Sequence, residues 1–99
     1  MKERPSAVIC SNDMTAIGVL HTTQRLGRRI PDEMSLIGFD DLLMSQIVQP
    51  ALTTLHLSRQ QIAARAFMGL QIGGGSGRDG TTSFIQPRLM VRSSTGRKS

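Results

Sequence analysis

The sequence contains no Trp and no Tyr, and its three aromatic residues are all Phe. Proteins that bind single-stranded nucleic acid stack the bases on aromatic side chains, so this composition does not favour that class of function. The single cysteine, Cys10, excludes an intrachain disulfide and a Cys-x-x-Cys metal site. Because Cys10 ends the apolar run of residues 7–10, we expect a small buried hydrophobic residue there, not a reactive thiol.

Long hydrophobic runs are also lacking. No apolar run approaches the roughly 20 residues that a membrane-spanning helix needs, and the first residues do not resemble a secretory signal. We therefore expect a cytoplasmic protein. The 99 residues, 38% of them hydrophobic, suffice for one ordinary domain or a piece of a larger one, but not for two complete α/β domains.

Basic residues outnumber acidic ones, with 12 Lys plus Arg against 7 Asp plus Glu and a net charge of +5. Such an excess attracts phosphate backbones and acidic surfaces. The basic residues are scattered, however, and cluster only at Arg28-Arg29 and Arg97-Lys98. We expect an ordinary solvated surface, and a small basic nucleic-acid-binding module is kept as an alternative.

The hydrophobic pattern alternates between short apolar runs and helical segments. Ser11, Asn12 and Asp13 are helix-capping residue types, Gly27 is a helix stop, and Ser58 with Gln61 forms a capping box. This alternation predicts an α/β fold with a mostly parallel sheet and flanking helices. The expected elements are a strand at 7–10 buried on both faces, a helix up to residue 26, strands at 34–39 and 53–57, a helical turn at 42–48, a helix after residue 58, a Gly-rich loop at 73–80 and an edge strand around residues 89–91.

Polar residues at two strand ends are the candidate site. Asn12 and Asp13 follow the first strand, where a side chain can either bind a ligand or cap the helix, and both interpretations are open. Residues 39–41 follow the second strand and share the same rim of the sheet. No nucleophile and base can be paired and no metal-ligand cluster is evident, so we expect no enzyme activity, no metal and no cofactor.

Four motifs resemble the lactose-repressor (LacI-type) transcription regulators. The segment RPSAVICSNDMTAIG at 4–18 is similar to that family's RPTA-apolar-NDxxAxG segment, and LGRRIPDEMSLIGFDD at 26–41 is similar to its LGxxIPxDxSxxGFDD stretch. PALTTL at 50–55 resembles its PxLTT segment, and RLMVRSST at 88–95 resembles its closing LxVRxST strand. Four motifs in the right order are far more specific than any one of them.

The resemblance implies the periplasmic-binding-protein type I fold, in which two α/β lobes enclose a ligand cleft. It implies that this chain is the C-terminal portion of the effector-binding and dimerisation domain, without the helix-turn-helix domain. On the family's pattern, residues 1–30 and 59–94 belong to the C-terminal lobe, residues 32–57 cross into the N-terminal lobe, and residues 95–99 form a loose tail.

The resemblance also implies functional residues. Asp13 matches an aspartate that contacts the effector, and Asn12 either orients Asp13 or caps the helix. Phe39 lies on the same rim, and Leu57 stands where many members carry Gln, which indicates a ligand with fewer hydroxyl groups. The implied dimer interface includes one face of the helix after Asp13, with Ile17, Leu20, His21 and Gln24. For Ile17 and Leu20, the alternative is a place in the lobe core.

The implied function is that of a bacterial repressor controlled by a small effector, most often a sugar. The effector binds between lobes, and the dimer then repositions the DNA-binding heads. A sugar-binding transport protein of the same fold is the first alternative. Because strands would lack their neighbours in the isolated chain, we predict that it self-associates through open sheet edges.

Overall fold

The computed structural model describes residues 4–73 and 84–98. The predicted order of strands and helices is confirmed, although each strand is only three residues long. The elements are β1 (Ala7–Ile9), α1 (Asp13–Arg25), β2 (Ser35–Ile37), α2 (Leu43–Ile47), β3 (Thr54–His56), α3 (Arg59–Gly73) and β4 (Arg88–Met90).

The strands form parallel and antiparallel pairs. β1 runs parallel to β2, with Ala7 opposite Ser35. A single parallel bridge joins Ile37 to Thr53, immediately before β3, and β3 pairs antiparallel with β4. The α/β fold class is therefore confirmed, with one antiparallel pair in addition to the expected parallel ones.

Helix α1 begins and ends where its capping residues predict. The side chain of Asn12 accepts a hydrogen bond from the backbone N–H of Thr15 at 2.8 Å, which satisfies one of the free amides of the first turn. Gly27 has φ +76° just past the helix end, a conformation that glycine adopts without the steric cost of a Cβ.

The core is small and lies between α1 and the first strands. Burial raises the pKa of the Cys10 thiol, as expected for a cysteine that packs as a hydrophobic residue. The prediction that the first strand is buried on both faces is wrong, because the Ile9 side chain is 76% exposed. The buried hydrophobic residues are Cys10, Ala16, Leu20, Ile30, Leu36 and Leu52.

The chain divides into two compact units. The first comprises Met1–His56 and Arg88–Ser99, and the second comprises Leu57–Pro87. Within the first unit, β1 and β2 are parts of one sheet. The expected lobe boundaries, with residues 32–57 crossing into the N-terminal lobe, stay a prediction.

The second unit contains α3. The Ser58 hydroxyl accepts a hydrogen bond from the Gln61 backbone N–H at 3.2 Å, so Ser58 caps α3 as predicted. The predicted Gly-rich loop lies largely outside the described residues. Among the residues that the structure describes, no helix is long and apolar enough to cross a membrane.

Residues 95 and 96 near the end of the chain bond to β2 and to the segment before β3. Thr95 Oγ1 lies 2.9 Å from Thr53 Oγ1, and the Gly96 backbone N–H donates to Ser35 Oγ at 3.0 Å. The expectation of a loose tail from residue 95 onward is therefore wrong for Thr95 and Gly96.

Candidate functional site

The ends of three strands meet at one edge of the first unit. The backbone N–H of Asp13, just past β1, donates to the Phe39 carbonyl past β2 at 2.8 Å. The Asp40 N–H in turn donates to the Leu55 carbonyl in β3 at 3.0 Å. The two polar segments that follow β1 and β2 therefore share one rim, as the parallel arrangement predicts.

Asp13 lies at the centre of this rim and is fully buried. Its Oδ2 accepts hydrogen bonds from the Leu42 backbone N–H at 2.8 Å and from Ser45 Oγ at 2.5 Å. Its Oδ1 accepts one from Thr54 Oγ1 at 2.6 Å. Hydrogen bonds to a charged acceptor are stronger than neutral ones, so this carboxylate joins the start of α1 to α2 and to β3.

This geometry favours a structural role for Asp13, and its effector contact stays a prediction. The carboxylate is enclosed, and three donors of the same chain occupy its oxygens, so nothing in the geometry supports a direct effector contact. Its surroundings indicate a structural role in holding three segments together. The alternative for Asn12 is confirmed, since its side chain caps α1.

Gly38 allows this arrangement to form. A Cβ at position 38 would overlap Asp13 Oδ1, would lie 3.0 Å from Leu52 Cδ2 and would lie 3.2 Å from Asp13 Cα. The residue before the Phe39-Asp40-Asp41 segment must therefore be glycine, because the β2 backbone approaches the buried carboxylate directly.

The Asp40-Asp41 turn adopts left-handed backbone geometry, with φ +133° at Asp40 and φ +58° at Asp41. Such conformations are costly for residues other than glycine and persist only when the surroundings hold them. Asp41 supplies the holding contacts: its Oδ1 accepts from Arg92 Nη2 at 2.6 Å, and its Oδ2 lies 3.0 Å from His56 Nδ1.

Arg92 is a residue that the sequence analysis did not single out. Besides its ion pair with Asp41, its Nη1 donates to the Leu52 carbonyl at 3.1 Å. The Thr54 hydroxyl links this cluster to the buried carboxylate, because it also accepts from the Asp41 N–H at 3.2 Å. The only sequence signal for Arg92 was its place in the closing VRxST motif.

Phe39 and Leu57, the other two predicted effector residues, lie in different compact units. Phe39 is half-buried, and its carbonyl accepts the Asp13 N–H. Leu57 is half-buried, follows β3 directly and belongs to the second unit. The role of Leu57 stays a prediction.

The predicted dimer residues on α1 divide into two groups. Leu20 is 3% exposed and Ile17 packs against the core, so the alternative of a core role is what the structure shows for Leu20. His21 and Gln24 are exposed. Gln24 Nε2 donates to the Gln49 carbonyl at 2.7 Å, which ties α1 to the segment after α2.

The family of periplasmic binding protein-like domains matches residues 1–95. The chain therefore belongs to this family. A relative named HTH-type transcriptional repressor PurR, from Photorhabdus laumondii, is 36% identical over 94 residues, which are 94% of this chain and 28% of that protein. One from Vibrio vulnificus with the same name is 39% identical over 66 residues, 67% of this chain and 20% of that protein.

Solved structures give the same assignment. A putative LacI-family regulator from Sanguibacter keddieii superposes with a TM-score of 0.82 at 34% identity, covering 96% of this chain and 37% of that one. A LacI-family regulator from Lactobacillus casei, solved with bound sucrose, has a TM-score of 0.76 at 29% identity and covers 93% and 34%. The resemblance to LacI-type transcription regulators is thus confirmed, and the chain spans between a fifth and somewhat more than a third of the proteins it matches.

Proposed function

We propose that this chain is part of the effector-binding and dimerisation domain of a LacI-type transcriptional repressor. In this proposal a helix-turn-helix domain outside this sequence binds DNA, and the protein acts in the cytoplasm without enzymatic activity. The family membership and the repressor names of the relatives support the regulatory role.

The observation that carries the proposal is the rim where β1, β2 and β3 end. Asp13 is buried beneath it, and Asn12, Asp40 and Asp41 are half-buried polar residues of the rim, of which Asp41 contacts Arg92 and His56. We place the effector against Asn12 and Asp40 and not against Asp13. Open α/β sheets bind ligands at this carboxyl edge, so the position fits the fold.

The chemistry of the two side chains indicates a ligand with hydroxyl or N–H groups. A carboxylate such as Asp40 accepts hydrogen bonds from hydroxyl or amino groups, and the Asn12 amide nitrogen donates them while Oδ1 caps α1. A sugar has such groups, and one similar structure was solved with sucrose. A nucleoside or a purine base has them as well.

Dimerisation is proposed for the exposed face formed by α1 and α2. Leu43, Met44 and Ile47 are 71%, 50% and 59% exposed in the five-residue helix α2, a concentration of apolar side chains that is typical of an interface. The Gln24–Gln49 hydrogen bond joins this helix region to α1, where His21 is exposed. We therefore move the predicted interface from Leu20 to α2.

The proposed mechanism is allosteric. An effector shifts the balance between two arrangements of the regulator only through its different affinity for each. The hydrogen bonds of Asp13 join the ligand rim to Leu42 and Ser45 at α2, so this carboxylate links the proposed effector site with the proposed dimer face. We assign Asp13 this positioning role.

A thermal-shift screen of the full-length regulator tests the function. Sucrose, other sugars, nucleosides and purine bases are added separately to the purified protein. A true effector raises the melting temperature because it binds the folded form, and it also changes the affinity for operator DNA. If no compound in any of these classes raises the melting temperature, or a compound raises it without any change in DNA affinity, the proposed function is wrong.

A further inference from the structure

The opposite edge of the first unit carries a concentration of positive charge. Because β1 and β2 are parallel, their amino ends also lie side by side, and the Ser35 N–H donates to the Ser6 carbonyl at 2.9 Å. The two basic clusters of the sequence, Arg28-Arg29 and Arg97-Lys98, both line cavities at this edge. The fold thus brings together charges that are far apart in the sequence.

We call this surface the basic rim and define it by five exposed cationic residues: Arg4, Arg28, Arg29, Arg97 and Lys98. The same cavities contain two carboxylates, Asp32 and Glu33. Glu33 Oε2 already accepts the Arg29 backbone N–H at 2.8 Å, and its Oε1 lies 3.9 Å from Arg28 Nη1. The basic rim therefore keeps an excess of positive charge.

An apolar pocket lies within the basic rim. It has a volume of about 170 Å³, and Pro5, Leu26 and Met34 form apolar parts of its wall. The other lining residues include Arg4 and Arg28, together with Glu33, which is already bonded to the Arg29 backbone and paired with Arg28. Leu26 is 72% exposed, so an aliphatic side chain from a partner would remove apolar surface from water there.

We infer that the basic rim is a docking site for an acidic protein segment that inserts an aliphatic side chain into this pocket. Aspartates or glutamates beside the aliphatic residue would pair with Arg4 and Arg28, and bidentate arginine–carboxylate geometry would fix its orientation. Nucleic acid fits less well, because a phosphate backbone supplies no aliphatic group for the pocket. This site lies at the other end of the strands from the proposed effector rim, and its existence does not depend on the proposed function.

The test is fluorescence anisotropy of a labelled peptide with a central Leu flanked by Asp and Glu residues, titrated with the 99-residue chain. We expect binding that weakens as salt is raised, since exposed charges are screened. Leu26→Ser is expected to weaken binding about tenfold, while Leu70→Ser, at a 77% exposed position in α3, leaves it unchanged.

A charge-matched pair of variants completes the test. Arg4→Gln combined with Arg28→Gln is expected to weaken binding about tenfold, whereas Arg65→Gln combined with Arg88→Gln removes the same charge outside the basic rim and has little effect. Equal losses in both double variants mean non-specific attraction and overturn the inference. The inference is also overturned if a double-stranded DNA of random sequence binds more tightly than the peptide and Leu26→Ser does not change the affinity for that DNA. That result would make the basic rim a phosphate-binding surface.

Discussion

At the scale of single residues, the burial of Asp13 decides how the rim is built. A buried carboxylate is stable only when donors satisfy it, and here Leu42, Ser45 and Thr54 do so. Removing the carboxylate would leave these three donors without their acceptor inside the protein. Each buried donor left in that state carries a desolvation penalty.

Asp13→Ala is therefore expected to lower the free energy of unfolding by about 3 kcal/mol. Asp32→Ala, which removes an exposed carboxylate, is the control and is expected to change it by less than about 0.5 kcal/mol. Urea denaturation followed by circular dichroism measures both. Equal stabilities of the two variants would contradict the structural role of Asp13.

Of the two interpretations that the sequence left open for Asn12, the helix cap is the one that the structure shows. A helix cap is a local interaction, and Asn12 bonds to Thr15 only three positions away. Asp13 depends on partners 29, 32 and 41 residues distant. A pattern among neighbouring residues does not indicate contacts between such distant segments. The burial of Asp13 could therefore not be predicted from the spacing of residues in the sequence.

At the scale of secondary-structure elements, the end of β2 packs directly on the start of α1. Gly38→Ala is expected to destabilise the chain by about 2 kcal/mol, because the added Cβ overlaps Asp13 and the backbone cannot move away. Gly18→Ala is the matched control: no atom lies within 4 Å of its added Cβ, and alanine is favoured in a helix by about 1 kcal/mol. Thermal unfolding at low protein concentration compares them, and a Gly38→Ala variant as stable as Gly18→Ala would contradict the packing.

The segment after β4 is joined to the Asp40-Asp41 turn by Arg92. Arg92→Met is expected to cost about 3 kcal/mol, since it leaves Asp41 without its cation in a largely buried position. Arg88→Met, an exposed substitution on β4, is expected to cost less than about 0.5 kcal/mol. Chemical denaturation of both variants is the measurement, and a neutral Arg92→Met would mean that the turn does not need this ion pair.

The types and order of the elements could be predicted because they depend on local patterns. Helix α1 has its cap at Asn12 and its stop at Gly27, and both are visible in the sequence. The exposure of β1 could not be predicted from its apolar run. That exposure depends on which other strands and helices cover the run, and within the described residues β1 pairs only with β2.

At the scale of the whole molecule, the arrangement of compact units follows strand pairing and not the order of motifs. Residues 32–56 lie in the same compact unit as residues 4–30, and Leu57 lies in the second unit. Pairing between distant segments such as β1 and β2 is a tertiary property that the order of motifs does not specify. The assignment of residues 32–57 to a crossover into the N-terminal lobe stays a prediction.

Self-association through α2 is the prediction at this scale. Leu43→Ser is expected to raise the dissociation constant for self-association about tenfold, because an interface loses a buried leucine side chain. Leu26→Ser, which replaces a leucine of nearly equal exposure, 72% against 71%, should leave self-association unchanged. Sedimentation velocity over a range of concentrations distinguishes them, and equal effects of both substitutions would exclude α2 as a specific interface.

The central claim is that the effector contacts Asn12 and Asp40 on the rim above the buried Asp13. Isothermal titration calorimetry of the full-length regulator, with the strongest compound from the thermal-shift screen, tests it most directly. Asn12→Ala and Asp40→Ala are each predicted to weaken binding at least about tenfold, as expected when a polar ligand contact is removed, while Asp32→Ala binds like the original protein. Unchanged affinity in both rim variants would contradict the account.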